Sequence, residues 1–94
     1  MNLTSEQLKA VEDMAYRLIP PNLTAINIEV DEYEFIQQVR TVGTPAHNAY
    51  YKGYVKQLIE TRESIIKAAH NGSNPAQQDL LHFMADVKQH IKYE

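Results

Sequence analysis

Four histidines are the first residues whose chemistry needs placing: His47, His70, His82 and His90. His82, Asp86 and His90 stand at successive intervals of four, so on one helix they form a line of nitrogen and oxygen donors. A metal pair on a helix wants its two histidines three or four residues apart, and these two are eight apart, two turns from each other. They therefore read as the polar surface of a helix, and no metal or cofactor is expected. The chain has no cysteine, which removes disulfides, thiolate ligands and cysteine nucleophiles. Its three glycines, Gly43, Gly53 and Gly72, are too dispersed for a phosphate-cradling loop. Ser5, Ser64 and Ser73 lie in no nucleophile motif. An enzyme is not expected.

A second group suits nucleic acid. Gln37, Gln38 and Arg40 follow one another closely, and glutamine and arginine are the side chains that read adenine and guanine edges. Further on, Tyr50, Tyr51 and Tyr54 interleave with Lys52 and Lys56, a mixture that offers stacking faces and phosphate contacts. The same tyrosines can instead serve the protein itself, with Tyr51 in the core and Tyr50 and Tyr54 at a subunit contact. The net charge is −3. Residues 1–40 hold seven acids against three bases and residues 41–94 five against six, so the second half is the better match for phosphate.

The elements that position these residues are helices. Thr4 or Ser5 caps a first helix, with Glu6 and Gln7 where a capping box wants them. Leu8, Val11, Ala15, Leu18 and Ile19 form its apolar face, and Pro20-Pro21 ends it. A short helix from Pro21 to Asn27 follows, then a tight connection at Ile28-Glu29-Val30, with a short strand over Ile26–Val30 as the alternative. Asp31 caps a third helix whose Phe35, Ile36 and Val39 face inward. In a helix-turn-helix a small residue lets the second helix pack closely, and an apolar residue after the turn anchors it. Ala25 fits the first role, Ile28 and Val30 the second, and Glu29 stands where such motifs often place glycine.

After a break at Thr41-Val42-Gly43, Thr44-Pro45 opens a long helix that runs to about His70, where Asn71-Gly72 stops it. Its inner stripe is expected to carry Tyr51, Val55, Leu58, Ile65 and Ala69, widened by Ile59 and Ile66. At about 1.5 Å per residue it is some 39 Å long, more than a domain of this size spans, so one end should project or pack on another subunit. Tyr50, Tyr54, Ile59 and Ile66 are the residues expected at that subunit contact. Asn74-Pro75 starts a last helix with Ala76, Leu80, Met84, Val87 and Ile91 on one face, and the short link makes the last two helices antiparallel. The expected fold is thus all-α: one domain over residues 1–94, with a three-helix, helix-turn-helix-like part over 1–42 and a long helical hairpin over 44–94. A hydrophobic share of 44% suits a folded domain. With no signal peptide and no membrane-length apolar run, a cytoplasmic location is expected.

The order of these elements resembles that of phage terminase small subunits. The opening Leu3-Thr4-Ser5-Glu6-Gln7 is similar to their common start, and Asn22–Phe35 occupies the place of their helix-turn-helix. Ala49-Tyr50-Tyr51-Lys52-Gly53 resembles their aromatic, basic and glycine pattern at the hairpin start. The run from Ala68 to Ala76 resembles their small-residue turn. The resemblance implies recognition of double-stranded phage DNA for packaging, assembly of copies into a ring through the hairpin, and a large ATPase subunit as partner. On it, Gln37, Gln38 and Arg40 would contact bases, with Lys52 and Lys56 on phosphates, and neither a membrane nor a small-molecule substrate is implied. The sequence departs from the pattern where Asp31, Glu32 and Glu34 crowd the start of the third helix, and it leaves little chain after the hairpin for docking a large subunit. Two other readings compete: a helical adaptor module of a phage or mobile element, and a small dimeric helix-turn-helix regulator.

Overall fold

The computed structural model describes residues 1–93, with side chains through residue 91. It has five helices: α1 Ser5–Tyr16, α2 Pro21–Asn27, α3 Glu32–Arg40, α4 Pro45–His70 and α5 Asn74–Tyr93. There is no strand among the described residues, so the strand alternative over Ile26–Val30 falls: Ile26 and Asn27 close α2, and the residues after them turn. Among the described residues no helix is long and apolar enough to cross a membrane.

Helix starts follow the capping residues. The Thr4 hydroxyl accepts the Gln7 amide at 3.0 Å while Gln7 Oε1 accepts the Thr4 amide at 2.9 Å, a reciprocal capping box. Asp31 caps α3 by accepting the Glu34 amide at 2.8 Å. Thr44 accepts the His47 amide at 3.1 Å, and its hydroxyl lies 2.6 Å from the Gln38 carbonyl, fastening the end of α3 to the start of α4. The cap of α5 is Ser73, one residue before the expected Asn74, which is already helical.

Helix ends share one device. At the ends of α1, α2 and α4 a residue with positive φ turns the chain, and two amides reach back to orphan carbonyls. For α1 these are Leu18 to Ala15 at 2.9 Å and Ile19 to Met14 at 3.0 Å; for α2, Glu29 to Ile26 at 3.2 Å and Val30 to Ala25 at 3.1 Å. For α4, Gly72 to Ala69 and Ser73 to Ala68 are both 3.1 Å. The turning residues are Leu18 (φ 63°), Glu29 (φ 60°) and Gly72 (φ 95°). The first of these corrects the apolar face expected of α1. The helix stops at Tyr16, and Leu18 lies beyond it, 59% exposed.

Two compact units divide the chain within α4, one spanning Met1–Leu58 and the other beginning at Ile59. In the first, Val11, Ala25, Ile28, Phe35, Val39 and Ala46 form the core, with Leu3, Ala10, Val30, Ala49 and Tyr50 packed against it. Phe35 is the largest fully buried side chain, and Ala25 beside it has no exposure. The first half of α4 meets this core through Ala46, Ala49, Tyr50 and Gly53, not through Tyr51 and Val55, which are 46% and 43% exposed. The cause is Gly53: a Cβ there would strike the Glu12 backbone of α1, so only a residue without a side chain lets α4 approach α1 this closely. Tyr51 and Val55 are turned outward by that choice.

In the second unit α4 and α5 run antiparallel, with Arg62 beside Phe83 and Asp86 at one level and Ala69 beside Gln77 at another. Gln77 Nε2 donates to the Ala69 carbonyl at 3.1 Å, and Arg62 lies 4.4 Å from the Phe83 ring centroid. Beyond Gly53, only Ala69 and Ala76 are buried among the described residues.

Candidate nucleic-acid interface

Helix α3 buries Phe35 and Val39, so the residues that lie opposite them face solvent. At about 100° per residue, Tyr33, Gln37 and Arg40 fall on one stripe, and all three are exposed, Tyr33 at 74%. Gln38, expected to join them, is half-buried in a small recess with Leu3, Pro45 and Ala46. The acids at the other end of the helix are partly engaged: Asp31 serves as the cap, and Glu34 pairs with the amino terminus at 3.4 Å. The free cationic end of α3 is its last turn, where Arg40 also complements the negative end of the helix dipole. Among the described residues the other two arginines are paired, Arg17 with Asp13 and Arg62 with Asp86, each at 3.4 Å. Arg40 has no carboxylate partner among the described residues.

Arg40 borders a hollow of about 480 Å³ walled by Asn22 of α2, Ile36 and Val39 of α3, and Tyr50 and Tyr51 of α4. The Tyr50 hydroxyl donates to the Ile19 carbonyl at 2.7 Å, holding α4 against the chain between α1 and α2. Burial pushes its phenol above the ordinary range, and the neighbouring Tyr51 and Tyr54 phenols add to the shift. Tyr51 sits among other rings, 4.6 Å from His47, 6.1 Å from Tyr50 and 6.5 Å from Tyr54. His47 is itself fixed, its Nδ1–H donating to the Val39 carbonyl at 2.7 Å, which sets the tautomer because a carbonyl can only accept.

Lys52 and Lys56 leave α4 on the other flank of Gly53. Lys52 reaches Glu12 at 3.7 Å, and Lys56 lies 5.4 Å from the Tyr16 ring centroid, so both are turned toward α1. Thus Arg40 and Tyr50 come together, Gln37 shares the stripe with Arg40, and the two lysines stand apart from that group. Of the residues expected at a subunit contact, Tyr50 is half-buried and bonded within its own unit, while Tyr54, Ile59 and Ile66 are 40%, 52% and 36% exposed.

Two site residues were not picked out from the sequence, Tyr33 and Asn22, and Tyr51, read there as a stacking ring or as core, is exposed. Tyr33 stands four before Gln37 and seven before Arg40, a spacing that reveals it once Phe35 and Val39 are taken as the buried pair. Asn22 and Tyr51 meet Arg40 only through the packing of α4, which no local pattern shows. On α5, Asp86 faces Arg62 at 3.4 Å and His90 at 3.5 Å. Among the described residues no three histidine, aspartate or glutamate side chains gather as a metal site. No protein-family model, curated protein or solved structure matches the chain.

Proposed function

We propose that this chain is a DNA-binding protein of the terminase small-subunit kind, meeting double-stranded DNA with α3 and assembling with copies of itself through the α4–α5 unit. The observation that carries the reading is the α2–turn–α3 pair. Ala25 is fully buried beside Phe35, Glu29 holds the left-handed turn where glycine is usual, and α3 turns Tyr33, Gln37 and Arg40 outward. Because acids occupy the first turn of α3, contacts to bases fall to its later residues, Gln37 and Arg40, with Tyr33 beside them. Gln38 supports the helix from its recess, and Lys52 and Lys56 are outlying phosphate contacts. A large ATPase subunit is the further partner that the resemblance implies.

Fluorescence anisotropy with phage-derived duplex DNA tests this. With only a few phosphates neutralised, affinity should fall about one to two decades between about 50 and 200 mM salt. Gln37→Ala with Arg40→Ala should weaken binding by about tenfold or more, since a good base contact contributes ~1–3 kcal/mol. Unchanged affinity would remove α3 from the interface. Complete absence of salt-dependent binding would favour a helical adaptor, a reading supported by the exposed Met84, Val87 and Ile91 of α5.

A further inference from the structure

We propose that the hollow between α2, α3 and the first half of α4 receives an unpaired nucleotide of a DNA strand, its base against Tyr51 and its phosphate on Arg40. The inference rests on the nucleic-acid reading of α3 and adds a second mode of contact to it. Three features carry it. The first is size: about 480 Å³ lies within the ~300–1,000 Å³ usual for small-ligand sites.

The second is the aromatic wall. Tyr50 spends its hydroxyl on the Ile19 carbonyl and so presents chiefly its ring to the hollow. Tyr51 is 46% exposed yet braced by His47, Tyr50 and Tyr54, so little side-chain freedom is lost when a base stacks on it. Ile36 and Val39 supply an apolar floor, and the Asn22 amide can both donate to and accept from a base edge. The third is charge. Arg40 is the arginine without a carboxylate partner among the described residues, and no acid lines the hollow, which calls for an anion. A π-face, an amide and a guanidinium around one recess together fit a nucleotide. A base inside a duplex keeps both faces stacked, so only an unpaired one can use Tyr51. Arg40 belongs to both the hollow and the outward stripe of α3, which makes the strand on that stripe the natural source.

The test compares a short blunt duplex, the same duplex extended by a single-stranded overhang carrying the fluorescent base 2-aminopurine, and the overhang strand alone. The overhang duplex is expected to bind about tenfold tighter than the blunt one, within the roughly 5–150-fold range for one stacked base, with 2-aminopurine emission quenched. Tyr51→Ala should abolish both the preference and the quenching, and Tyr51→Phe should keep them. Circular dichroism checks that each variant is folded. Equal affinity for blunt and overhang duplexes would overturn this inference and leave the duplex reading standing. Binding of overhang and single strand without the blunt duplex would uphold it and sink the duplex reading. A preference that survives in folded Tyr51→Ala, or no binding to any probe, would overturn it.

Discussion

Glu29 and Leu18 hold backbone conformations that glycine takes without strain and that other residues enter at a cost of roughly 1–2 kcal/mol. Glu29 is exposed, so its replacement by glycine sacrifices little contact. Set against the added freedom of glycine in the unfolded chain, Glu29→Gly should still stabilise by about 0.5–1 kcal/mol. The same logic with opposite sign applies to Gly72→Ala, which should destabilise by about 1 kcal/mol. Urea midpoints at unchanged slope check both, and a destabilised Glu29→Gly would mean that the side chain makes a contact worth more than the strain. At Tyr50 the pH dependence follows from its raised phenol. Below about pH 10 the group is neutral in folded and unfolded chains alike, and its contribution is intact. Above that, the unfolded chain sheds the proton first, so stability is lost as pH climbs toward the higher folded value. Tyr50→Phe should be less stable at neutral pH by about 1 kcal/mol, for the lost bond to Ile19, but should decline less steeply in alkaline unfolding curves. Parallel curves for the two proteins would show that Tyr50 carries no such linkage.

At the scale of the element, what was legible in the sequence was whatever local chemistry writes. Thr4 with Gln7, Asp31, and Thr44 before Pro45 mark three helix starts, because a capping side chain must sit at a fixed offset from the amides it satisfies. The core of the α2–α3 pair was legible too: Ala25, Ile28 and Phe35, read as its small, anchoring and inward-facing residues, are all buried. The inner face of α4 was not, nor was the recess beside Arg40. Hydrophobicity points to Tyr51 and Val55, whereas packing selects Gly53, and that preference depends on a helix some forty residues earlier in the chain. Gly53→Ala measures the difference. Alanine would gain about 1 kcal/mol of helix propensity, yet its Cβ would meet the Glu12 backbone, which cannot swing aside as a side chain can. A net loss of about 1–3 kcal/mol is expected, with the melting temperature lowered by roughly 5–15 °C. A more stable Gly53→Ala would show that α1 and α4 can separate at no cost, and the face assigned to α4 would then be wrong.

For the whole molecule, the two units differ in what they bury. The first encloses Phe35, Val11 and Val39, while among the described residues of the second only Ala69 and Ala76 are buried. Many of its large apolar side chains stay outside: Ile66, Met84, Val87 and Ile91 are 36%, 62%, 48% and 74% exposed. Met84, Val87 and Ile91 repeat at intervals of three and four, the spacing of a helix seam that seeks another helix. A unit of two helices encloses little core, and under the proposed assembly closure with like units would cover this seam. Charge does not oppose it, because residues 59–94 carry five acids and four bases, a balance of −1. Light scattering behind a sizing column should therefore give a mass of several chains, and the melting temperature should rise with protein concentration. Val87→Lys with Ile91→Lys should reduce the mass toward that of a single chain, because charges placed in an apolar seam must be desolvated without partners. Tyr54→Lys should leave the mass unchanged, for Tyr54 lies in the first unit, which has a core of its own. If Tyr54→Lys dissociates the assembly and the Val87 and Ile91 changes do not, the contact lies on the tyrosine face. In that event the hollow beside Arg40 would be covered by a neighbouring copy, and the overhang preference should vanish in the assembled protein.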